Sequence, residues 1–158
     1  MTKHVLQPAG WTAPKGYANG VAVSLPATGR WVFVAGQIGW NGASQFDSDD
    51  LVDQVRQALL NVRAVLSEAG AGPEHICRMT WYLTDKREYL ARAADIGRAY
   101  REVLGREFAV AMSAVQVAAL IEDRAKVEIE VTAVVPVDRG DAPDGVATGS
   151  SRHDPAGR

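Results

Sequence analysis

The side chains best suited to moving a proton in this chain sit in one short segment, Val127-Glu-Ile-Glu130. Glu128 and Glu130 are two residues apart, which puts both carboxylates on one face of a β-strand. A carboxylate held where water is partly excluded has a raised pKa and can act as a general acid or base. On a solvated strand face the same residue is only polar surface. Other reactive types are scattered. Cys77 has no Cys or His partner at metal-ligand spacing and lies in an apolar run, as a buried thiol would. His75 stands just before that run as a surface residue between helix and strand, and His4 and His153 fall near the chain ends. No zinc-ligand spacing, Gly-x-Gly-x-x-Gly turn or phosphate loop is present, and no spacing supports a Ser-His-Asp arrangement. Arg106, Arg124 and Lys126 flank the last two predicted strands and read as solvated surface charge.

Holding Glu128 in place requires a sheet, and the pattern around it predicts one. Val127, Ile129, Val131, Ala133 and Val135 alternate with Glu128, Glu130 and Thr132, the period of a strand with one buried face. Ser113 to Leu120 predicts the strand before it. Trp31-Val-Phe-Val-Ala35, bounded by Thr28-Gly29 and Gly36, predicts a strand buried on both faces. Gly20 to Leu25 predicts the first strand of the fold, and His75 to Leu83 a further one. Two helices fall between. Asp47-Ser-Asp-Asp50 gives start signals for a helix carrying Leu51, Val55, Leu59, Val62 and Leu66 on one face, with Gly70 as the stop. Asp85 caps a second helix with Tyr89, Ala93, Ile96, Tyr100 and Val103 on one face, ended by Gly105. The order β-β-α-β-α-β-β describes an α+β domain. Two helices cover one face of such a sheet and leave the other for a partner subunit.

Composition narrows the setting. Of the 158 residues, 47% are hydrophobic and 23% charged, so a core can form without disulfides or metal. The single cysteine excludes an internal disulfide, in keeping with a reducing cytoplasm. One domain is expected from Met1 to Val137. Asp138 to Arg158, rich in Gly, Pro, Ser and Asp, predicts a disordered tail. No apolar run reaches signal-peptide length at the amino terminus, or the roughly 20 residues of a membrane span. A net charge of -2 and a pI near 5.9 leave no basic field for nucleic acid. The expected setting is cytoplasmic, the expected partner a small molecule or another protein, and neither nucleic acid nor membrane.

Five segments in order carry a resemblance. They are Gly36-Gln37-Ile38, Gln54-Val-Arg-Gln-Ala-Leu-Leu-Asn61, Thr80-Trp-Tyr-Leu-Thr-Asp85, Ser113-Ala-Val-Gln-Val-Ala-Ala-Leu120 and Val127-Glu-Ile-Glu130. Over about Gly16 to Val135 the chain resembles the Rid family, also called YjgF, whose members include enamine/imine deaminases. The resemblance implies a chorismate-mutase-like α+β subunit, a mixed sheet with two helices on one face. It also implies homotrimers around a sheet-walled barrel, with ligand clefts at the subunit interfaces. In deaminating members the substrate is an enamine or imine such as 2-aminoacrylate. Water converts it to a 2-keto acid and ammonia without metal or organic cofactor, so no cofactor is expected.

Carried over by position, Glu128 matches the family glutamate that orients or activates water, and is the expected catalytic residue. Tyr17, in Gly16-Tyr-Ala-Asn-Gly20, matches the aromatic wall of the cleft. Gly36 and Gln37 match the loop whose backbone amides approach the ligand, where a missing Cβ allows close contact. Trp40, just beyond, is a ligand-stacking wall, an interface plug or ordinary packing. Deaminating members grip the substrate carboxylate with an arginine just before the Ser-Ala-Val-Gln-Val strand, through a bidentate pair. Met112 stands at that position here. A hydrogen bond to a charged group is worth roughly 1.5–3 kcal/mol, so its loss costs about one to two decades in affinity or rate. Met112 and Trp40 thus point away from 2-aminoacrylate and toward a larger or less charged substrate. The loop Phe108-Ala-Val-Ala-Met112 looks one residue longer than the family spacing, and Arg106, Arg124 or Lys126 is the candidate for a relocated cation. The expected function is hydrolysis (deamination) or tautomerisation of a small reactive enamine, imine or related carbonyl metabolite. The alternative is a non-catalytic trimeric small-molecule-binding or regulatory protein that kept the cleft.

Overall fold

The computed structural model describes residues 1–12, 14–24, 29–106 and 109–136. Expectations resting on Leu25, Thr28, Phe108, Val137 and the segment 138–158, with His153, lie outside the described residues. In chain order the elements are β1 (Thr2–Leu6), β2 (Gly20–Ser24), β3 (Gly29–Ile38), α1 (Leu51–Glu68), a 3-10 turn (Pro73–His75), β4 (Ile76–Leu83), α2 (Lys86–Ala91), α3 (Ala93–Leu104), β5 (Ala111–Gln116) and β6 (Val127–Pro136). Four strands form one sheet in the order β3-β6-β4-β5, and β1 and β2 form a separate antiparallel pair. Within the sheet β4 and β5 run parallel, while β6 is antiparallel to both β3 and β4. This is a mixed sheet in an α+β fold, as expected.

The helices form where the caps predicted them. The Asp50 carboxylate accepts from the amides of Val52 and Asp53 at 2.8 and 3.2 Å, and Asp85 accepts from Arg87 and Glu88 at 2.7 and 3.3 Å. Gly70 and Gly105, at φ 64° and 91°, take the left-handed turns that end α1 and α3. The α1 face of Leu51, Val55, Leu59, Val62 and Leu66 is fully buried. It packs with Ile96, Tyr100 and Val103 of α3 against the inward residues of β4 and β6, among them Met79, Trp81, Ile129 and Val131. Each such side chain contributes about 1.5–3 kcal/mol on burial, so the helix-covered face holds most of the stability.

Four expectations need correction. A strand, β1, precedes the one predicted as first, and pairs along all five residues with β2. The predicted second helix is broken at Arg92 into α2 and α3. No Gly or Pro marks the break; Arg92 instead reaches Asp50 and Asp95, both at 2.9 Å, and these pairs fix the kink. The predicted strand Ser113–Leu120 begins at Ala111 and ends at Gln116, where the Gln116 side chain accepts from the Lys86 amide at 3.0 Å. Lastly, β3 is not buried on both faces. Val34 is buried, but Trp31 and Phe33 are 55% and 74% exposed, and their rings stack at 6.3 Å on the face away from the helices. The helices reach only one side of the sheet.

Candidate functional site

The site builds from a kink in β3. Its pairing with β6 slips between Val34 and Gln37, a bulge that holds Ala35 and Gly36 out of register before Gln37 meets Ile129 and Ile38 meets Glu128. The bulge brings the Gly36 backbone onto the Glu128 side chain. A Cβ at position 36 would lie 1.8 Å from Glu128 Oε1 and 2.7 Å from its Cγ, so the carboxylate lies where only glycine leaves room. Glu128 is half-buried on the face away from the helices, and the alternation of β6 puts Glu130 and Thr132 on that same face. Across the strand pair, Tyr82 stands opposite Glu128, Thr80 opposite Glu130 and Arg78 opposite Thr132. The result is a polar row along an otherwise apolar open face. The Tyr82 phenol titrates above its ordinary value: partial burial comes first, then its hydrogen bond to the Glu130 carboxylate and the charge of Glu130, against which Arg78 works.

The remaining candidates stand elsewhere. Tyr17 is 43% exposed beside the far edge of the sheet, where the Ala18 amide donates to Val110 O at 2.9 Å and Ala18 bridges Ala111 of β5. Met112 lies in β5 opposite Met79, and its half-buried side chain packs against the core on the helix side, not on the open face with Glu128. Tyr17 and Met112 thus share the β5 edge, while Gly36 and Gln37 lie on the β3 edge with Glu128 beside them on β6. From β3 to β5 is three strand spacings, about 14 Å. A single chain does not bring the two groups together. The Gln37 side chain donates to Ala35 O at 3.1 Å, within its own loop. Trp40 bridges and packs on Phe46, with ring centroids 6.3 Å apart, and its carbonyl accepts from Asn61 at 2.8 Å. The ring contact found for Trp40 is a packing contact.

The cations named for a relocated role are engaged or distant. Arg124 bonds Asp49 at 2.8 Å and lies 5.3 Å over the Phe46 ring. Lys126 bonds Glu88 at 2.9 Å, and Arg106 lines a hollow with Lys3, His75 and Tyr100 away from the polar row. Burial pushes the Cys77 thiol up in pKa, and His75 accepts from the Gly72 amide through Nδ1 at 2.9 Å. Among the described residues no group of three His, Cys, Asp or Glu side chains could hold a metal ion.

Two residues escaped the sequence reading. Arg78 is a cation on the open face, and the period of β4, with Arg78 and Tyr82 as outward positions, was the signal for it. Gln54 is 1% exposed inside α1. Its amide donates to Ser48 O at 3.1 Å and Arg124 O at 3.0 Å, and its carbonyl accepts from the Lys126 amide at 2.8 Å. Gly39 sits directly on its Cβ. Gln54 therefore ties the loop after β3 and the turn before β6 to one helix, and so sets both strands that meet at Gly36 and Glu128.

Fold and site define a class: an α+β chain with helices on one sheet face and a carboxylate lodged against a glycine bulge at one sheet edge. Residues 11–135 match the family model described as Endoribonuclease L-PSP. A RutC family protein of Synechocystis is 35% identical over 86% of this chain and 99% of its own length. A provisionally named reactive intermediate deaminase, TdcF of Escherichia coli, is 35% identical over 67% of this chain and 80% of its own. Among solved structures, the Rid protein YyfB of Yersinia pestis superposes with a TM-score of 0.71 at 30% identity, covering 84% of this chain and 98% of that one. A YjgF family member of Mycobacterium tuberculosis gives 0.54 at 31% identity, over 77% and 88%. The chain belongs to the Rid (YjgF) family. Among the described residues, no helix is long and apolar enough to cross a membrane.

Proposed function

We propose that this chain hydrolyses or tautomerises a small reactive enamine, imine or related carbonyl metabolite other than 2-aminoacrylate. Its clefts form where the β3 edge of one copy meets the β5 edge of the next in a homotrimer, with residues up to Val137 acting as one domain. Glu128 relays the proton through water, the backbone around Gly36 and Gln37 holds a substrate oxygen, and Tyr17 walls the cleft. The observation that carries the reading is the Glu128 carboxylate lying where a Cβ at Gly36 would be. A proton-handling group and open backbone converge there, the two things an enamine hydrolysis needs. The matched family model bears an endoribonuclease description. A net charge of -2 and the lack of a basic field argue against RNA phosphate as the ligand.

The substrate test supplies 2-aminoacrylate from a serine or threonine dehydratase and compares wild type with Met112→Arg. Wild type is expected to be silent and the variant to gain turnover. Position 112 lies half-buried on an edge strand, so an arginine can run its stem along the core and put its guanidinium at the rim. On the substrate a screen of bulkier imines identifies, Glu128→Gln should lower turnover by about 10²–10⁴; full activity in that variant would sink the reading. The core packing of Met112, which brings no cation of its own to the β5 edge, favours a second reading, a trimeric binder without turnover. Saturable imine-analogue binding with no product from any screened substrate would select it.

A further inference from the structure

The polar stripe of α1 does not end at Gln54. Gln57 and Asn61 follow it along the same helix face, both half-buried. Asn61 Nδ2 donates to Ile38 O at 3.0 Å and to Trp40 O at 2.8 Å, and Gln57 Nε2 donates to Asn61 Oδ1 at 2.8 Å. Every polar atom of the Asn61 side chain is thus engaged, in the one orientation that does not set its oxygen against two carbonyl oxygens. The two carbonyls lie just past Gly36, at the exit of β3. The pattern of β3 does not by itself favour the register found there. Val34 packs on the helix side, and strict alternation would return Gly36 and Ile38 to that side. The bulge instead sets Ile38 opposite Glu128, and cross-strand partners share a face. Without the bulge β3 would slide by one residue, and Gln37 rather than Ile38 would meet Glu128.

We infer that Asn61 is a positioning residue for the proposed reaction, an inference that rests on the reading of Glu128 given above. Its two bonds pin the Ile38 and Trp40 carbonyls to α1, hold β3 in the bulged register and so keep Gly36 against the Glu128 carboxylate. Gln57 fixes the orientation of the Asn61 amide. A one-residue slide moves a strand by about 3.3 Å, which carries a pinned carbonyl out of hydrogen-bond reach. Each bond is worth about two- to tenfold in an equilibrium constant, and the two act together against the slide. Gln54 does not duplicate this role, since its side chain bonds Ser48, Arg124 and Lys126 and no residue of β3. The clamp lies on the helix side of the sheet and is complete within one chain.

The test compares the full-length wild type with Asn61→Ala and needs no ligand for its first readout. Nuclear Overhauser contacts in wild type should join Gly36 and Ile38 to Glu128; in Asn61→Ala these should weaken and Gln37–Glu128 contacts should take their place. The second readout is kcat on the substrate that the imine screen identifies, taken well below the Tm of both proteins. A fall of about tenfold or more is expected in Asn61→Ala. A merely structural asparagine would lower Tm yet leave the contacts and kcat of the folded chain alone. Gln57→Leu leaves the Asn61 donors in place but unoriented, so it should move both readouts the same way by about twofold or more, and it carries the test should Asn61→Ala fail to fold. The inference is overturned if either the cross-strand contacts or kcat stay those of wild type. Full turnover in Glu128→Gln would instead remove the reading of Glu128, and the cross-strand contacts would still decide whether Asn61 sets the register.

Discussion

Gly36→Ala offers a way to move the Glu128 carboxylate without altering it. The new methyl carbon would lie 1.8 Å from Oε1, 2.6 Å from Cδ and 2.7 Å from Cγ. Ordinary contact needs about 3.5 Å or more, so Oε1 must retreat by well over an ångström and Cγ by nearly one. Turning the last side-chain bond cannot clear Cγ, so the whole side chain must change rotamer. The backbone at position 36 is outside the left-handed region, and the residue is exposed. Stability should therefore fall by less than about 1 kcal/mol. A catalytic group displaced by an ångström loses about 10²-fold in rate, or about 2.7 kcal/mol of transition-state stabilisation. The assay is turnover on the screened substrate with Tm measured in parallel. Activity should drop by about two decades at nearly constant Tm, and adding Gly36→Ala to Glu128→Gln should cost nothing more. Wild-type turnover in Gly36→Ala would refute the claim that this contact sets the acid–base group.

Gln54→Leu should lower stability by about 3 kcal/mol, read as a lower urea midpoint, because the Lys126 amide and two backbone carbonyls lose a buried partner. An unchanged midpoint would mean the loop and turn hold themselves. In acid, Arg92 carries the effect: its hydrogen bonds hold the Asp50 and Asp95 carboxyls below their ordinary value of 3.8. Lowered folded values mean that the unfolded chain takes up protons first. The stabilisation is thus present above about pH 4 and lost as pH falls through the depressed values. Acid unfolding followed by circular dichroism should show this slope in wild type and a weaker one in Arg92→Gln.

The caps were legible in the sequence because they are local. Asp50, Asp85, Gly70 and Gly105 act within a turn of themselves, and each does in the structure what its position predicts. The helix break at Arg92 was not legible, since it depends on Asp50, 42 residues away in sequence. β1 was missed for a related reason. Its Val5 and Leu6 are about half exposed, so it rests mainly on pairing with β2 and on the Lys3 bond to Ile76 O, which composition does not announce. The apolar run of β3 was read as burial on both faces, but an apolar face awaiting a partner has the same composition as one already covered. At the site, Glu128 and Gly36 were found through family resemblance, and their direct contact spans a register shift that no local pattern encodes.

The placement of the candidate residues on two different sheet edges has a consequence for inheritance as well as for chemistry. In the proposed trimer an edge of one kind docks on an edge of the other, a head-to-tail contact that forms a ring where its rotation closes. In such a ring every cleft borrows one wall from each of two neighbouring chains. A chain disabled at Tyr17 and a chain disabled at Glu128 would then be defective on opposite sides. Refolded together in equal amounts, they would leave about a quarter of the clefts with both walls intact. Two null alleles of opposite kinds would complement each other in one cell, because a copy disabled at one wall would spoil only the cleft to which it lends that wall.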